Sequence, residues 1–474
     1  MKPPYARARA PLAVLASTLA LAGCASFSPD GGMDRVSALT RERVGQPVTL
    51  QRDGAAADSA RARVAELLRV PLSADSAVEV ALLNNRGLQA SLAGLGIAEA
   101  DLVRAGRLRN PGFGIGRLSG SGTVEIDRSV MFDLLGLITL PIAREGEQRR
   151  FEQAQFQAAQ DAVVLAAETR RAFYGAVAAQ ELLRYFEQVH ETADISRELA
   201  TRMAQAGNFN RLAQLREQAF HADATVQLAR ARQQALAERE RLTRLLGLAG
   251  EQARFTLPDR LPDLPGAPVA RQDAEQVAMD KRLDIQVARQ QAEATARALG
   301  LTRSTRVVNV LEAGWQDKRE SGGPRASGYE VALELPLFDF GATRVARAES
   351  TYLQAVNRAA ALGAQAQSEV REAHAAYRTA YALARHYRDE VVPLRKRISE
   401  ENLLRYNGML ISVFELLADA REQFAAVTGA VESLRDHWIA QTQLELALTA
   451  RSPAGSSPAS SSIAPAAAAA PVGH

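Results

Sequence analysis

"GYEVALELPLFDFG" (residues 328–341) alternates apolar and polar positions along most of its length. Tyr329, Val331, Leu333, Leu335 and Leu337 fall in one phase; Glu330, Ala332, Glu334 and Pro336 fall in the other. Such period-two alternation predicts a strand with one apolar and one polar face. The flanks read differently, being rich in Ala, Arg, Gln, Glu and Leu, the composition of long helices. A strand with so regular an apolar face, set in a helical chain, must find partners for its edges.

Outward from this stretch, residues 305–316 read as a partner strand and 273–303 as the helix before it. Downstream come a helix over 342–406, a "YNGM" turn and a helix over 410–449. The first half of the chain runs in the same order. A helix starts at Ser73, a plausible N-cap, and continues to Arg107. "PGFGIGRLSGSG", from Pro111, is too glycine-rich for a helix and reads as a flexible strand. A second strand is expected over Arg128–Leu140, with Val130, Phe132, Leu134, Ile138 and Leu140 on one face, although Leu135 and Leu137 blur the alternation. Helix then runs over 144–206 to a "GNFN" turn (Gly207–Asn210) and on to Leu246. Residues 24–72 read as a loosely structured lead-in. Residues 249–272, with Pro258, Pro262, Pro265 and Pro268, read as a linker, and 450–474 as a low-complexity, disordered tail.

The two halves match residue by residue. "LPIAREGEQR" (140–149) and "LPLFDFGATR" (335–344) share L-P-x4-G-x-x-R. "ETRRA" (168–172) pairs with "EVREA" (369–373), Gly207 with Gly408, and "NNRGLQ" (84–89) with "KRLDIQ" (281–286). These matches, in one order, predict a duplication with repeats over 73–248 and 273–449. Each repeat is short helix, hairpin, very long helix, turn, short helix. About 63 residues of helix span roughly 95 Å, and the two shorter helices laid end to end nearly equal that length. The expected shape is a rod.

Composition narrows the function. Among 474 residues, 57 Lys and Arg face 54 Asp and Glu, and the basic residues are dispersed, which argues against a nucleic-acid partner. The N-terminus has basic Lys2, Arg7 and Arg9, an apolar stretch from Leu12 to Ala22, and small residues before Cys24, the features of an export signal over residues 1–23. "LAGC" (21–24) resembles the lipobox of bacterial lipoproteins, which implies cleavage before Cys24 and its acylation. Ala25 resembles the pattern sorted to the outer membrane. After this segment no apolar run of about 18 residues remains, so a membrane crossing would need strands of a closed barrel.

The duplicated strand–"LPLFDFG"–helix passage, "KRLDIQVA" (281–288) and "YNGMLISVFELLADAR" (406–421) together resemble the TolC-like outer-membrane efflux family over residues 73–449. "KRLDIQVA" is similar to the family's R-P-D-[LI] motif with Leu283 in the proline place. In "YNGM", Gly408 stands one place early and Met409 occupies the usual glycine position. The resemblance implies a mainly helical fold with a membrane β-barrel. Three protomers of four strands each would close a twelve-stranded barrel, continued in the periplasm as an α-helical tunnel. It also implies a homotrimer in outer-membrane lipid, a periplasmic adaptor and an inner-membrane pump as partners, and passive export of drugs or metal ions. A type I protein-secretion channel is an alternative, as is a periplasmic coiled-coil scaffold lipoprotein.

No catalytic, metal or cofactor motif is present: there is no phosphate loop, no H-E-x-x-H, no C-x-x-C and no G-x-S-x-G. No enzyme activity and no cofactor is expected. Four features remain as candidates. Cys24 is the lipidation candidate. Pro393, inside the second long helix, is expected to kink it. The turns Gly207, Asn208, Asn210 and Asn407, Gly408, Met409, Ser412 are free loop ends that suit adaptor contact. Glu415 stands where the resembling family rings its aperture with acids, and reads equally as a solvated helix-face glutamate. Ala418 takes the second acid position of that motif, and Asp419, adjacent to it, lies about 100° from it around the helix.

Overall fold

The computed structural model describes residues 26–120, 123–207, 209–269, 273–305, 310–334 and 338–451. The export signal with Cys24, Asn208, residues 335–337 of the quoted stretch and the tail from 452 onward lie outside the described residues.

The expected loose lead-in instead holds two helices, α1 (Met33–Val44) and α2 (Gly54–Leu67). Both are short and polar, so periodicity hides them. Burial of Val36, Val44, Val48 and Val64 against the main core holds them, and the Asp53 carboxylate caps α2 by accepting from the Ala56 amide at 2.8 Å. Ser73 does cap the next helix, α3 (Ala74–Asn84), through a reciprocal pair with Ser76. The single helix expected over 73–107 is broken at Asn85, which caps α4 (Arg86–Ala105).

Two strands follow, β1 (Gly112–Gly120) and β2 (Thr123–Asp133). The strand expected over Arg128–Leu140 therefore stops early. Asp133 turns the chain by accepting from the Gly136 amide at 2.7 Å, and Leu134 opens α5 (Leu134–Gln205), which is 72 residues long. At 1.5 Å per residue that helix spans roughly 110 Å. Its middle is lined with buried alanines, including Ala159, Ala162, Ala166, Ala172 and Ala176, whose small side chains let neighbouring helices approach closely. α6 (Arg211–Leu246) returns along α5, and α3 and α4 pack on the same helix.

In the second half, Arg282 breaks the helix expected over 273–303 into α7 (Ala274–Lys281) and α8 (Leu283–Ser304). The strands are β3 (Leu311–Glu320), which runs past the expected end at 316, and β4 (Ala326–Leu333), which begins before the expected 328. Then come α9 (Ala342–His386), a π-helical turn (Tyr387–Val391), α10 (Val392–Asn407) and α11 (Val413–Thr449). The four strands form one antiparallel sheet in the order β1-β2-β3-β4.

The joints of the two halves are alike. Asn85 Nδ2 donates to the Leu245 carbonyl at 3.0 Å, and Asn84 Nδ2 to the Gly247 carbonyl at 2.7 Å, so the end of α6 abuts the α3–α4 break. Arg282 Nη1 donates to the Ala447 carbonyl at 3.2 Å, bringing the end of α11 against the α7–α8 break. Short helices are thus stacked end to end beside each long one. Gly247 is required at its joint: its φ is 66°, and a Cβ there would stand 2.7 Å from the Asn84 carbonyl oxygen.

The proline-rich segment is not a free linker. Phe255, Leu257, Leu261 and Leu264 are buried between the prolines. Trp438 Nε1 donates to the Pro262 carbonyl at 3.0 Å, the Tyr381 hydroxyl to Pro265 at 3.1 Å, and Arg184 to Asp259. It is a strap across the middle of both helical halves.

Candidate channel wall and tip

The register of the sheet sorts its side chains by chemistry. Phe113, Val130, Trp315 and Tyr329 stand opposite one another in a single row across all four strands. Phe132, Ala313 and Val331 form the next row toward the helices, followed by Leu311 and Leu333. Most of these side chains are exposed, Tyr329 to 89%, so the part of this face nearer the helices offers apolar surface to its surroundings. Leu137, Ile138, Ile142, Phe338 and Phe340, near the strand–helix junctions, are exposed as well.

The opposite face carries Gly112, Gly114 and Gly116 of β1, and Glu125, Asp127, Glu312, Glu320 and Glu330 facing a single lysine, Lys318. Lys318 Nζ lies 2.9 Å from Glu125 and 3.7 Å from Asp127, and Gln316 donates to Glu330. The outer edges of β1 and β4 have no partner among the described residues.

At the other end lie the two predicted turns. Gly207 takes a left-handed φ of 75°, and Asn210 caps α6 by accepting from the Ala213 amide at 2.8 Å. In the second turn the left-handed position belongs not to Gly408 but to Met409, with φ 56°. Gly408 (φ −80°) and Asn407 instead close α10, and Ser412 caps α11 by accepting from the Glu415 amide at 3.3 Å. The structural equivalent of Gly207 is thus one place later than the sequence match suggests. Met409 is 93% exposed, and Leu410 and Leu404 beside it are also exposed, leaving an apolar tip.

Glu415 sits exposed in the first turn of α11. Asp419, one turn on, is only 7% exposed, and its Oδ2 has no hydrogen-bond partner among the described residues. Pro393 is the second residue after the π-helical turn. Proline lacks an amide hydrogen and crowds the carbonyl four residues earlier, and the widened turn absorbs both defects.

Sequence reasoning missed three buried polar knots. Near the tip, Glu217 accepts from Ser196 Oγ at 2.7 Å and from Arg421 at 2.8 Å, tying α5, α6 and α11 together, while Arg421 lies 4.3 Å over the Phe220 ring. At the α7–α8 break Arg282, 1% exposed, forms ion pairs at 2.8 Å with both Asp284 and Glu369. Burial works against its charge, but the two carboxylates outweigh it and raise its pKa. This explains the R-x-D spacing: the arginine and aspartate meet across one helix start. Leu283 holds the first helical position, where proline also fits. In the strap region His437 is fully buried among Tyr377, Tyr381 and Trp438, and neither ring nitrogen has a hydrogen-bond partner among the described residues.

Among the described residues no cluster of His, Cys, Asp and Glu could hold a metal, and no helix is long and apolar enough to cross a membrane. No protein-family model matches the chain, and no curated protein is significantly similar to it. Solved structures match along most of its length. CusC, described for its folding and transmembrane channel formation, superposes with a TM-score of 0.67 at 17% identity, covering 81% of this chain and 93% of its own. The outer-membrane protein VceC of Vibrio cholerae gives 0.66 at 16% identity, over 79% and 95%. The open state of the MtrE outer-membrane channel of Neisseria gonorrhoeae gives 0.65 at 15%, over 78% and 88%. The chain has the fold of these outer-membrane proteins. Its mainly helical architecture, with the sheet at one end and helical hairpins at the other, agrees with what the TolC-like resemblance implies for a single chain.

Proposed function

We propose that this chain is one third of an outer-membrane channel, a passive conduit for export in a tripartite efflux assembly. One observation carries the reading: a four-stranded sheet whose two outer edges have no partner among the described residues, with one face exposed and apolar over its part nearer the helices, the other rich in acids and glycine. Unpaired backbone groups cost several kcal/mol each in lipid, so such a sheet is stable in a membrane only when its edges are closed. Three copies joined edge to edge give a twelve-stranded barrel with the Tyr329 face toward lipid and the Glu330 face toward the lumen. The strands of eight to eleven residues suit a tilted crossing.

The helices then extend into the periplasm as a tunnel, and the tip turns are free to meet a periplasmic adaptor. An inner-membrane pump supplies the energy in this reading. A scaffold lipoprotein gains nothing from an exposed apolar sheet. Cys24 anchors the N-terminus by acylation, which the mass of the mature N-terminal peptide tests. Drugs or metal ions are the cargo that the resemblance implies. Leu333→Arg, on the lipid face, should cost about 2–4 kcal/mol near the bilayer midplane and abolish heat-resistant trimers in outer-membrane fractions. Gln316→Arg, on the luminal face, should leave them intact. Equal tolerance of both substitutions would refute the assignment of faces.

A further inference from the structure

The apolar face of the sheet changes character toward its hairpins. One row beyond Phe113, Val130, Trp315 and Tyr329, the register aligns Ile115, Arg128, Asp317 and Ser327. The next row aligns Arg117, Ile126 and Arg319. Arg325, in the β3–β4 hairpin, donates Nε to Asp317 Oδ1 at 2.6 Å. Four guanidiniums therefore share this end of the face with one carboxylate. All four arginines are exposed, and Arg117, Arg128 and Arg319 form no ion pair with any described residue. On the reverse side the same rows hold Glu125, Asp127 and Glu320 with Lys318. The sheet separates its charges by sign: basic outside, acidic inside.

Arginine on a lipid-facing strand is costly at mid-depth and nearly free at the interface. The arginines start one row, about 7 Å, beyond the row holding Trp315 and Tyr329, aromatic residues of the kind that favour the interface. That places them in the headgroup layer on the side away from the helices. Guanidinium binds phosphate through paired hydrogen bonds, and clustered basic residues hold anionic headgroups. Asp317 is hydrogen-bonded to Arg325 and only its charge reaches Arg128 and Arg319, so among the described residues nothing takes up the hydrogen bonds that those two and Arg117 can give to a ligand.

We propose that Arg117, Arg128, Arg319 and Arg325 form a binding site for the phosphorylated headgroup of the outer-leaflet glycolipid. It rests on the channel reading above, because the arginines meet headgroups only if this face is turned to lipid. A trimer presents three such sites around its rim.

The test uses purified full-length protein in nanodiscs containing either bisphosphorylated lipid A or its dephosphorylated form. Native mass spectrometry counts retained lipid, and a semi-native gel run on the same samples reports the trimer. Wild type should retain the phosphorylated lipid, and Arg128→Gln with Arg319→Gln should lose binding by roughly tenfold or more. Lys318→Gln, at the same depth on the opposite face, should bind as wild type. Millimolar inorganic phosphate should not displace the lipid; displacement would mean a free-anion site and overturn the proposal. Equal retention by the double variant, or retention indifferent to lipid phosphates, would also overturn it while trimers persist. Absence of trimers in wild type would overturn the channel reading, and this site with it.

Discussion

His437 is the residue whose surroundings most directly forecast a solution property. It has no exposed surface and neither ring nitrogen is hydrogen-bonded, so burial pushes its pKa from 6.5 down to about 4. The rings packed against it, Tyr377, Tyr381 and Trp438, leave both of its nitrogens without a hydrogen bond among the described residues. The unfolded chain then takes up a proton that the folded chain refuses. Stability is complete above pH 6.5 and falls as the pH drops toward 4, by about 2 kcal/mol at pH 5. Thermal unfolding at pH 7.5 and pH 5 should show this fall in wild type, and His437→Leu should remove most of it. An unchanged pH dependence in that variant would place the acid sensitivity elsewhere. Met409 poses a different residue-level problem. A side chain in the left-handed region costs about 1–2 kcal/mol, which Gly207 avoids in the other turn. The match between repeats aligned Gly207 with Gly408, whereas the family motif puts Met409 in the glycine place, and Met409 is the residue that carries the turn.

At the scale of elements, the breaks in the helices matter as much as the helices. Arg282 holds the α7–α8 break by pairing with Asp284 and Glu369 while capturing the Ala447 carbonyl. Arg282→Ala leaves Asp284 buried without its cation, at an expected cost of about 3–5 kcal/mol in denaturant unfolding. Replacing Arg282 and Asp284 together by Met and Leu should cost markedly less, because the buried Asp284 charge is then gone and only the less buried Glu369 loses its cation. If the double replacement is as damaging as the single one, the break is held by something other than this pair. The same scale shows what could be read in advance. β4 was legible because Tyr329, Val331 and Leu333 alternate cleanly with polar neighbours. The run Leu134–Leu140 is dense enough in apolar residues to satisfy both periods, and only the capping role of Asp133 separates helix from strand. The strap was read as a linker because its prolines speak louder than Phe255, Leu257, Leu261 and Leu264, whose burial depends on helices far away in sequence. The two turns were legible as turns. The Glu217 knot was not, because its partners Ser196 and Arg421 come together only in the folded rod.

For the whole molecule, the proposed threefold axis turns single side chains into rings. Glu415 is exposed beside the tip turn, whereas Asp419 is buried against its neighbours. A ring of three Glu415 carboxylates at the narrow end would attract cations and oppose anions. In planar-bilayer recordings Glu415→Ala should lower cation selectivity and divalent block, and Asp419→Ala should stay closer to wild type in both. Unchanged selectivity in Glu415→Ala would return that residue to a solvated helix face without touching the barrel. The proposed barrel rests on the outer edges of β1 and β4, which have no partner among the described residues. Native mass spectrometry of the detergent-extracted protein addresses that point most directly. A mass of three mature chains released together from one micelle is the predicted result, and a stable, water-soluble single chain would contradict the account.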